Sequence, residues 1–313
     1  MAFVEHNNRA KAKKLAEFIT GKPLRQYLAD KIKKYVGCSP SVFDGAAGSG
    51  QLEQFINPSR FVAVEIQSES CEALKTNYPK AQIHNMSFFN YPTAQESLCD
   101  CVVMNPPFSL TFKGLTENEK KAIQEEFPWK NKGNVDDIFV IKGLNQSKRW
   151  GFFILSSGMA YRSTEALFRE KLGCQLVELN LIQNAFEDTS ISVLFLVIDK
   201  QKTSQNVIRE LIDFKQDTPL IASDEWLINP EKWETVSPPK EEVEEIEFSD
   251  MEALSKNAFR ERIKSELTLS KMFVDLSIAS NIPFSMNSKS EFNQFCDNIC
   301  NDVKAFKYTD MGH

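Results

Sequence analysis

Val42-Phe43-Asp44-Gly45-Ala46-Ala47-Gly48-Ser49-Gly50 runs from two large apolar residues through an acid into a loop of glycine, alanine and serine. The apolar run reads as a buried strand, and the small residues let the backbone turn sharply and approach a ligand closely. Many nucleotide-binding folds carry such a loop after a strand, and so do plain tight turns. The next apolar run, Phe61-Val62-Ala63-Val64-Glu65, ends in an acid 15 residues beyond Gly50. On its own Glu65 reads as a surface residue at a strand end. Paired with the loop, it is placed to accept hydrogen bonds from ribose hydroxyls.

Further β-rich runs follow at Ala81–His84, Cys101–Met104, Gly151–Ser156, Leu176–Ile182 and Ser192–Ile198, after the first two at Ser41–Asp44 and Phe61–Glu65. Helical or polar segments such as Glu69–Asn77, Asp136–Ser147 and Thr164–Leu172 separate them. This alternation predicts βαβ units and a doubly wound parallel sheet, whose ligands bind beyond the carboxyl ends of the strands. Upstream, Leu15, Phe18, Leu24, Leu28 and Ile32 recur at mostly helical spacing, and Gly21-Lys22-Pro23 interrupts them, so two helices with a break are expected. The stretch Ser109–Val135 is long, polar and lysine-bearing, and is read as a mobile functional loop or a short inserted helix. After Lys200 the pattern weakens, with Pro219, Pro230, Pro238 and Pro239 ahead of a glutamate run. Helical periodicity returns over 250–279 and near 291–306. The expected domains are therefore an N-terminal helical segment over 1–36, a catalytic domain over 37–200, and a linker with a small helical unit over 201–313.

A chain of 313 residues, 42% hydrophobic and 26% charged, can bury a sizeable core. It lacks an apolar stretch of about eighteen residues and has a polar, lysine-rich start, so a cytoplasmic protein is expected. Seven scattered cysteines, an odd number, suit a reducing compartment better than a disulfide framework. With only His6, His84 and His313, and no Cys-x-x-Cys pair, no metal site is expected. The net charge of −6 is segregated: Arg9, Lys11, Lys13, Lys14, Lys22, Arg25, Lys31, Lys33 and Lys34 crowd one end, while Glu241, Glu242, Glu244, Glu245, Glu247 and Asp250 lie far downstream. The basic run reads equally as a solvated helix face or as a phosphate-contacting surface, and the acidic run as a solvated linker.

Met104-Asn105-Pro106-Pro107-Phe108 follows directly on an apolar strand. Two prolines fix the backbone and remove two amide donors, so carbonyls and the Asn105 amide oxygen remain as acceptors suited to an amine substrate. Phe108 is an aromatic that could stack on a base drawn out of its helix.

Asn105–Phe108 at the end of the fourth strand resembles the catalytic tetrapeptide of the amino-methyltransferases, in particular the N6-adenine DNA methyltransferases with gamma motif order, and is similar to type I modification subunits. Phe18-Ile19-Thr20-Gly21-Lys22-Pro23-Leu24 resembles that family's upstream motif on the methionine side of the cofactor. Asp137-Ile138-Phe139-Val140, then Gly151-Phe152-Phe153-Ile154-Leu155 with Arg169, resemble the motifs that follow. Phe186–Phe195 looks like the late motif whose aromatic helps to hold a flipped adenine. The matches span roughly residues 18–198. Two positions depart from the pattern: Gly45 stands where the family often has proline, and Ser87, within Asn85-Met86-Ser87-Phe88-Phe89-Asn90, stands where an acid for the cofactor's adenine is usual.

The resemblance implies a Rossmann-like class I S-adenosylmethionine-dependent methyltransferase fold, with a seven-stranded, mostly parallel α/β sheet, helices on both faces and a small helical C-terminal region. It implies S-adenosyl-L-methionine as cofactor, bound by Thr20, Asp44, Gly45, Ala46, Gly48, Gly50, Glu65, Ile66, Ser87, Phe88 and Asn105. The catalytic group would be Asn105, Pro106, Pro107 and Phe108. Phe108, Phe186, Lys113 and Lys132 would contact the substrate, and Trp129 beside Lys130 and Lys132 reads equally as a nucleic-acid contact or as packing. The activity so implied is site-specific methylation of adenine N6 in DNA, in restriction-modification or in protection of phage or mobile DNA. An RNA base methyltransferase, or an inactive cofactor-binding subunit of a methyltransferase complex, are the alternatives. No DNA-reading motif stands out after Lys200, so a separate specificity subunit or other protein partner is expected at the C-terminal region.

Overall fold

In the computed structural model, the residues described are 3, 20–93, 97–108, 110–186, 191–229, 231–236, 256–265, 267–268, 271–272 and 297. The chain divides into two units, Met1–Pro239 and Lys240–His313. In the second, residues 256–265 are helical. The first predicted helix upstream of Thr20 and the glutamate run lie outside the described residues.

The first unit is built on one sheet of nine strands: β1 Ser41–Asp44, β2 Arg60–Glu65, β3 Gln82–Asn85, β4 Cys99–Met104, β5 Ser147–Ser156, β6 Leu176–Gln183, β7 Val193–Asp199, β8 Asn206–Asp213 and β9 Leu220–Leu227. They lie in the order β3-β2-β1-β4-β5-β7-β6-β8-β9. The pairs β3–β2, β2–β1, β1–β4 and β4–β5 are parallel, and β7 runs antiparallel between β5 and β6. All seven predicted strands are present. The expected count of seven is corrected by two more: β8 is parallel to β6, and β9 closes the edge antiparallel to β8. The boundary expected near 200 therefore falls inside the sheet. Pro219 sits in the turn before β9, and β9 is largely exposed, so its polar residues imitate a linker. Beyond it Trp233 is 2% exposed, its amide bonded to the Ala160 carbonyl and its ring edge-on to Phe168.

Successive strand residues point to opposite faces, and two hydrophobic clusters result. Val42, Phe61, Ala63, Cys101, Val103, Phe152 and Ile154 join one; Phe43, Val62, Val64, Val102, Met104, Phe153 and Leu155 join the other. Helix α1 (Lys22–Tyr35) covers the first face with Leu24, Leu28 and Ile32, and α2 (Ser68–Asn77) adds Leu74. The second face receives Ile123 of α3 (Glu117–Glu126), Ile138, Phe139 and Val140 of α4 (Asp136–Leu144), and Phe168 and Leu172 of α5 (Ala166–Leu172). Burying each such side chain contributes about 1.5–3 kcal/mol. Helix α4 ends before Ser147, which opens β5, so the predicted helix to Ser147 is three residues too long. Among the described residues no helix is long and apolar enough to cross a membrane.

The predicted break at Gly21-Lys22-Pro23 is the start of α1, with proline in its first turn, where the missing amide costs no helical bond. Within the basic run, Lys31 is no solvated residue. Its ammonium lies 2.5 Å from Glu178 Oε2 on β6 and 2.9 Å from Glu210 on β8. Tyr35, Lys34 and Asn180 also donate to Glu178, and Tyr27 donates to Glu210 at 2.6 Å. Arg25 is buried as well, donating to Gln54 at 2.7 Å. Lys22, Lys33 and Lys34 remain exposed.

Residues 110–135 form a closed excursion. Its ends meet through an antiparallel bridge of Thr111 with Asn134, and Val135 donates to the Leu110 carbonyl at 2.9 Å. Of the two readings offered for this stretch, the structure takes the inserted helix, α3, begun by a capping box in which Thr116 and Glu119 satisfy each other's amides.

Candidate cofactor and substrate site

A cleft of about 210 Å3 opens beyond the carboxyl ends of β1, β2, β3 and β4. Of the residues predicted to bind cofactor, Thr20, Asp44, Gly45, Ala46, Gly48, Glu65, Ile66, Ser87, Phe88 and Asn105 all line it. Gly50 does not. At φ +78° it is a left-handed turn residue, and a Cβ there would lie 2.5 Å from the Tyr78 ring, so its smallness serves packing behind the loop. At Gly48, φ +54°, a Cβ would meet nothing within 4 Å, so here the backbone borders the open cleft.

Asp44 begins the loop and accepts from the Ala46 amide at 2.7 Å. Burial pushes its carboxyl up to about 7, against the contacts of Glu53 and the Ala46 amide, which favour the charged form. Burial and the neighbouring Asp44 charge push the Glu53 carboxyl well above its ordinary range. Glu65 tethers the loop: one oxygen accepts from the Gly48 amide at 2.8 Å, the other from the Gln67 amide at 2.7 Å. The tether leaves the Glu65 carboxylate at the lining of the cleft, where an acid can meet hydroxyl donors.

Gly45, which departs from the proline pattern, has a steric reason. A Cβ there would lie 2.6 Å from Cδ2 of Phe88 and 2.7 Å from Cε of Met104. Phe88 is in turn stacked on Phe139, with centroids 5.3 Å apart and planes 13° apart. The cleft floor is thus an aromatic pair that leaves no room for a substituent on the loop.

At the other end, Asn105 Nδ2 donates to Thr20 Oγ1 at 2.9 Å, which fixes the amide plane at the cleft. Thr20 bridges Phe186, and the Gly21 amide reaches the Ala185 carbonyl, so three distant segments of sequence meet beside Asn105. Pro107 lines the cleft, whereas Pro106 is buried outside its lining. Phe108 and Phe186 pack edge to face at 6.0 Å and are only 5% and 6% exposed. Both rings, read from sequence as stacking on a base or as core, fill each other's space in the core here. Of the late motif, residues 187–190 lie outside the described residues.

Lys113 and Lys132 are exposed on the excursion and do not line the cleft. Trp129 packs against the core, edge-on to Phe127, with Lys130 and Lys171 over its ring. Lys130 is buried against Asp137 at 2.6 Å; burial pushes Asp137 up to about 6 while Lys130 opposes the shift. Cys99 and Cys101 are buried free thiols on β4.

The sequence reading missed Glu119, which also lines the cleft. Ser87 Oγ donates to Glu119 Oε1 at 2.6 Å, and the Thr116 amide and hydroxyl donate to Oε2 at 2.9 and 2.7 Å. Against burial, these donors hold its carboxyl below the ordinary range. The signal in sequence was Thr116-x-x-Glu119, a helix-start signature; its return to Ser87 is tertiary.

The strand order with its reversed β7, the small-residue loop after β1 and the cleft beyond it define a class I S-adenosylmethionine-dependent methyltransferase fold. Solved structures agree on the fold. The type I restriction-modification methyltransferase subunit of Streptococcus thermophilus superposes with TM-score 0.54 at 17% identity, over 68% of this chain and 53% of that one. A modification subunit of a putative type I restriction enzyme from Vibrio vulnificus gives 0.52 at 14%, over 68% and 50%. A putative class I S-adenosylmethionine-dependent methyltransferase from Listeria monocytogenes gives 0.52 at 13%, over 63% and 66%. The chain spans about half the length of the first two. Residues 72–272, more than half of the chain, match the N-6 DNA methylase family, and the chain belongs to that family. Family and fold imply S-adenosyl-L-methionine as cofactor, and the site fits it: Gly48 borders open space, Glu65 is placed for hydroxyls, and the cleft floor is aromatic.

Proposed function

We propose that this chain methylates the exocyclic N6 amine of adenine in DNA, with Asn105 as the residue that engages the amine. The observation that carries this reading is the position of Asn105: it lines the same cleft as the cofactor loop, its amide oriented by Thr20. S-adenosylmethionine supplies a methyl group activated on a sulfonium. The adenine amine is a weak nucleophile because its lone pair is delocalised into the ring. Hydrogen-bond acceptors that draw its two hydrogens out of conjugation restore that lone pair, and the Asn105 amide oxygen and the Pro106 carbonyl are the groups assigned to this work. Catalysis is then mainly positioning and electrostatic preorganisation, without a covalent intermediate.

A base inside a duplex has to be extruded, at a cost of a few kcal/mol that aromatic stacking offsets. In this reading Phe108 and Phe186 part from each other to receive it, so the base replaces an edge-to-face contact already beside Asn105. Lys113 and Lys132, exposed on the excursion, are assigned to phosphates. The restriction-modification setting and a specificity subunit or other partner at the C-terminal region are part of the same proposal, supported by the solved type I subunits named above. A chain that alone methylates one defined DNA site with high turnover would remove the partner from it.

The test is transfer of labelled methyl groups from S-adenosylmethionine to unmethylated genomic DNA and, in parallel, to total RNA, followed by nucleoside mass analysis. N6-methyladenine in DNA is the expected product; label in RNA alone overturns the DNA assignment. Asn105→Ala is expected to lower transfer by about 100-fold or more while cofactor affinity stays within a few-fold. Equal loss of both would make Asn105 a structural residue.

A further inference from the structure

The cleft runs across four strand ends, from β4 at Asn105 to β3 at Ser87. Three strand spacings separate β3 from β4, about 14 Å at roughly 4.8 Å each. A nucleoside-bearing cofactor laid along it, with its reactive end beside Asn105 and its ribose at Glu65, places its base against Met86–Phe89. The apolar contacts there come from Phe88, Phe139 and Leu110, and the ionised group there is Glu119.

Resting on the cofactor reading above, we propose that Glu119, delivered by the inserted helix α3, is the residue that recognises the exocyclic amine of the cofactor's adenine. The loop after β3 has only a hydroxyl at this point, and that hydroxyl is turned to the carboxylate of a different segment: Ser87 Oγ donates to Glu119 Oε1. A carboxylate offers about four lone-pair positions. Oε2 takes two donors from Thr116, and Oε1 takes one from Ser87. The fourth position is on Oε1, the oxygen held at Ser87. An amine is a donor that matches it, whereas a carbonyl at the same ring position would set acceptor against acceptor. The carboxylate is ionised and largely buried, 9% exposed, so mismatch there is not relieved by water. The excursion thus joins cofactor selection to the segment that carries Lys113 and Lys132, and the helix has to be in place for the base to be read.

The experiment compares S-adenosylhomocysteine with its inosine counterpart, in which the amine is replaced by a carbonyl, by titration calorimetry on the full chain. The wild type is expected to favour the adenosyl compound by about 100-fold or more, as sites that pair with a polar group reject its mismatch. Glu119→Gln keeps the capping box, because glutamine serves at that helix position as glutamate does. Its amide can also donate to a carbonyl, so the preference should fall by about 10-fold or more, chiefly through tighter binding of the inosyl compound, at an unchanged thermal midpoint. Unaltered discrimination in Glu119→Gln, with normal adenosyl binding in the wild type, overturns this assignment and leaves the cofactor reading intact. Failure of the wild type to bind either compound overturns both.

Discussion

Gly45→Ala adds one methyl group at the base of the cofactor loop. Gly45 is not among the glycines with positive φ, so alanine can adopt its backbone, and restricting the unfolded chain would by itself stabilise the protein by about 0.4–1 kcal/mol. The added Cβ, however, would lie 2.6 and 2.7 Å from two atoms of the Phe88 ring and 2.7 Å from Cε of Met104. The Met104 methyl can swing aside. The Phe88 ring is stacked on Phe139 at 5.3 Å and flanked by Phe43 at 6.1 Å, so it moves only with its neighbours. Overpacking of this kind costs about 1–3 kcal/mol, which outweighs the entropic gain and leaves a net loss of about 1–2 kcal/mol. For a unit of this size each kcal/mol lowers the midpoint by about 2–4 °C. Because loop and ring both line the cleft, affinity for S-adenosylhomocysteine should fall about 10-fold, a 1.4 kcal/mol effect. Thermal unfolding and titration calorimetry measure the two losses. Phe88→Leu removes the obstructing ring, so in a double-mutant cycle the pair should be better than additive by about 1 kcal/mol. If Gly45→Ala is as stable as the wild type, binds with unchanged affinity and shows no coupling to Phe88, the steric account of the missing proline is wrong.

Three further outcomes follow from the packing. A chain ending at residue 200 should be insoluble or unfolded, because it loses β8, β9 and the buried Trp233, while a chain ending at Pro239 should unfold cooperatively; circular dichroism with urea titration separates them. Glu178→Gln should cost about 3 kcal/mol, the low end for breaking a buried pair, since Glu210 still holds Lys31. Lys31 and its fellow donors hold Glu178 below the ordinary carboxylate range against the effect of burial. Its stabilisation is therefore present above the unfolded value and lost as pH falls through the folded one, so the mutant's deficit should shrink in acid; a deficit constant down to strong acid would contradict this. Asp44 has the opposite sign: raised to about 7, it binds a proton in the folded state that the unfolded chain has lost, so stability should decline as pH rises from the carboxylate range through 7. Asp44→Asn removes the titrating carboxyl while keeping an oxygen for the Ala46 amide, and should flatten that decline in urea midpoints taken between pH 5 and 8.

What could be read from sequence, and what could not, divides along a physical line. The loop 44–50, Glu65 and Asn105–Phe108 were legible because each is a backbone constraint written locally: small residues where the chain turns, an acid at a strand end, prolines that stop a helix. The strands inside the sheet were legible because both their faces are buried, which makes them continuous apolar runs. β8 and β9 were not, since a strand near an open edge carries polar residues on its wet face, and Pro219 lies in the turn between them. Lys31 read as one more cation on a basic helix; its partners Glu178 and Glu210 lie 147 and 179 residues away, and no local pattern announces a buried pair. Phe108 and Phe186 were legible as neighbours of the site but not as neighbours of each other. Glu119 belongs to the same class as Lys31. As a local signal it is a helix cap, and it becomes a cleft residue only because Thr111 and Asn134 close the excursion and bring α3 back to the segment after β3. The departure at Ser87 can therefore be understood as one half of an exchange, in which the hydroxyl left on the loop after β3 orients an acid supplied from elsewhere. If that exchange is real, Ser87→Ala should weaken S-adenosylhomocysteine binding only in the presence of Glu119. In Glu119→Gln, the same serine change should have an effect several-fold smaller. Independent, additive losses would mean that Ser87 and Glu119 act on the cofactor separately, and the carboxylate would then have to be oriented by Thr116 alone.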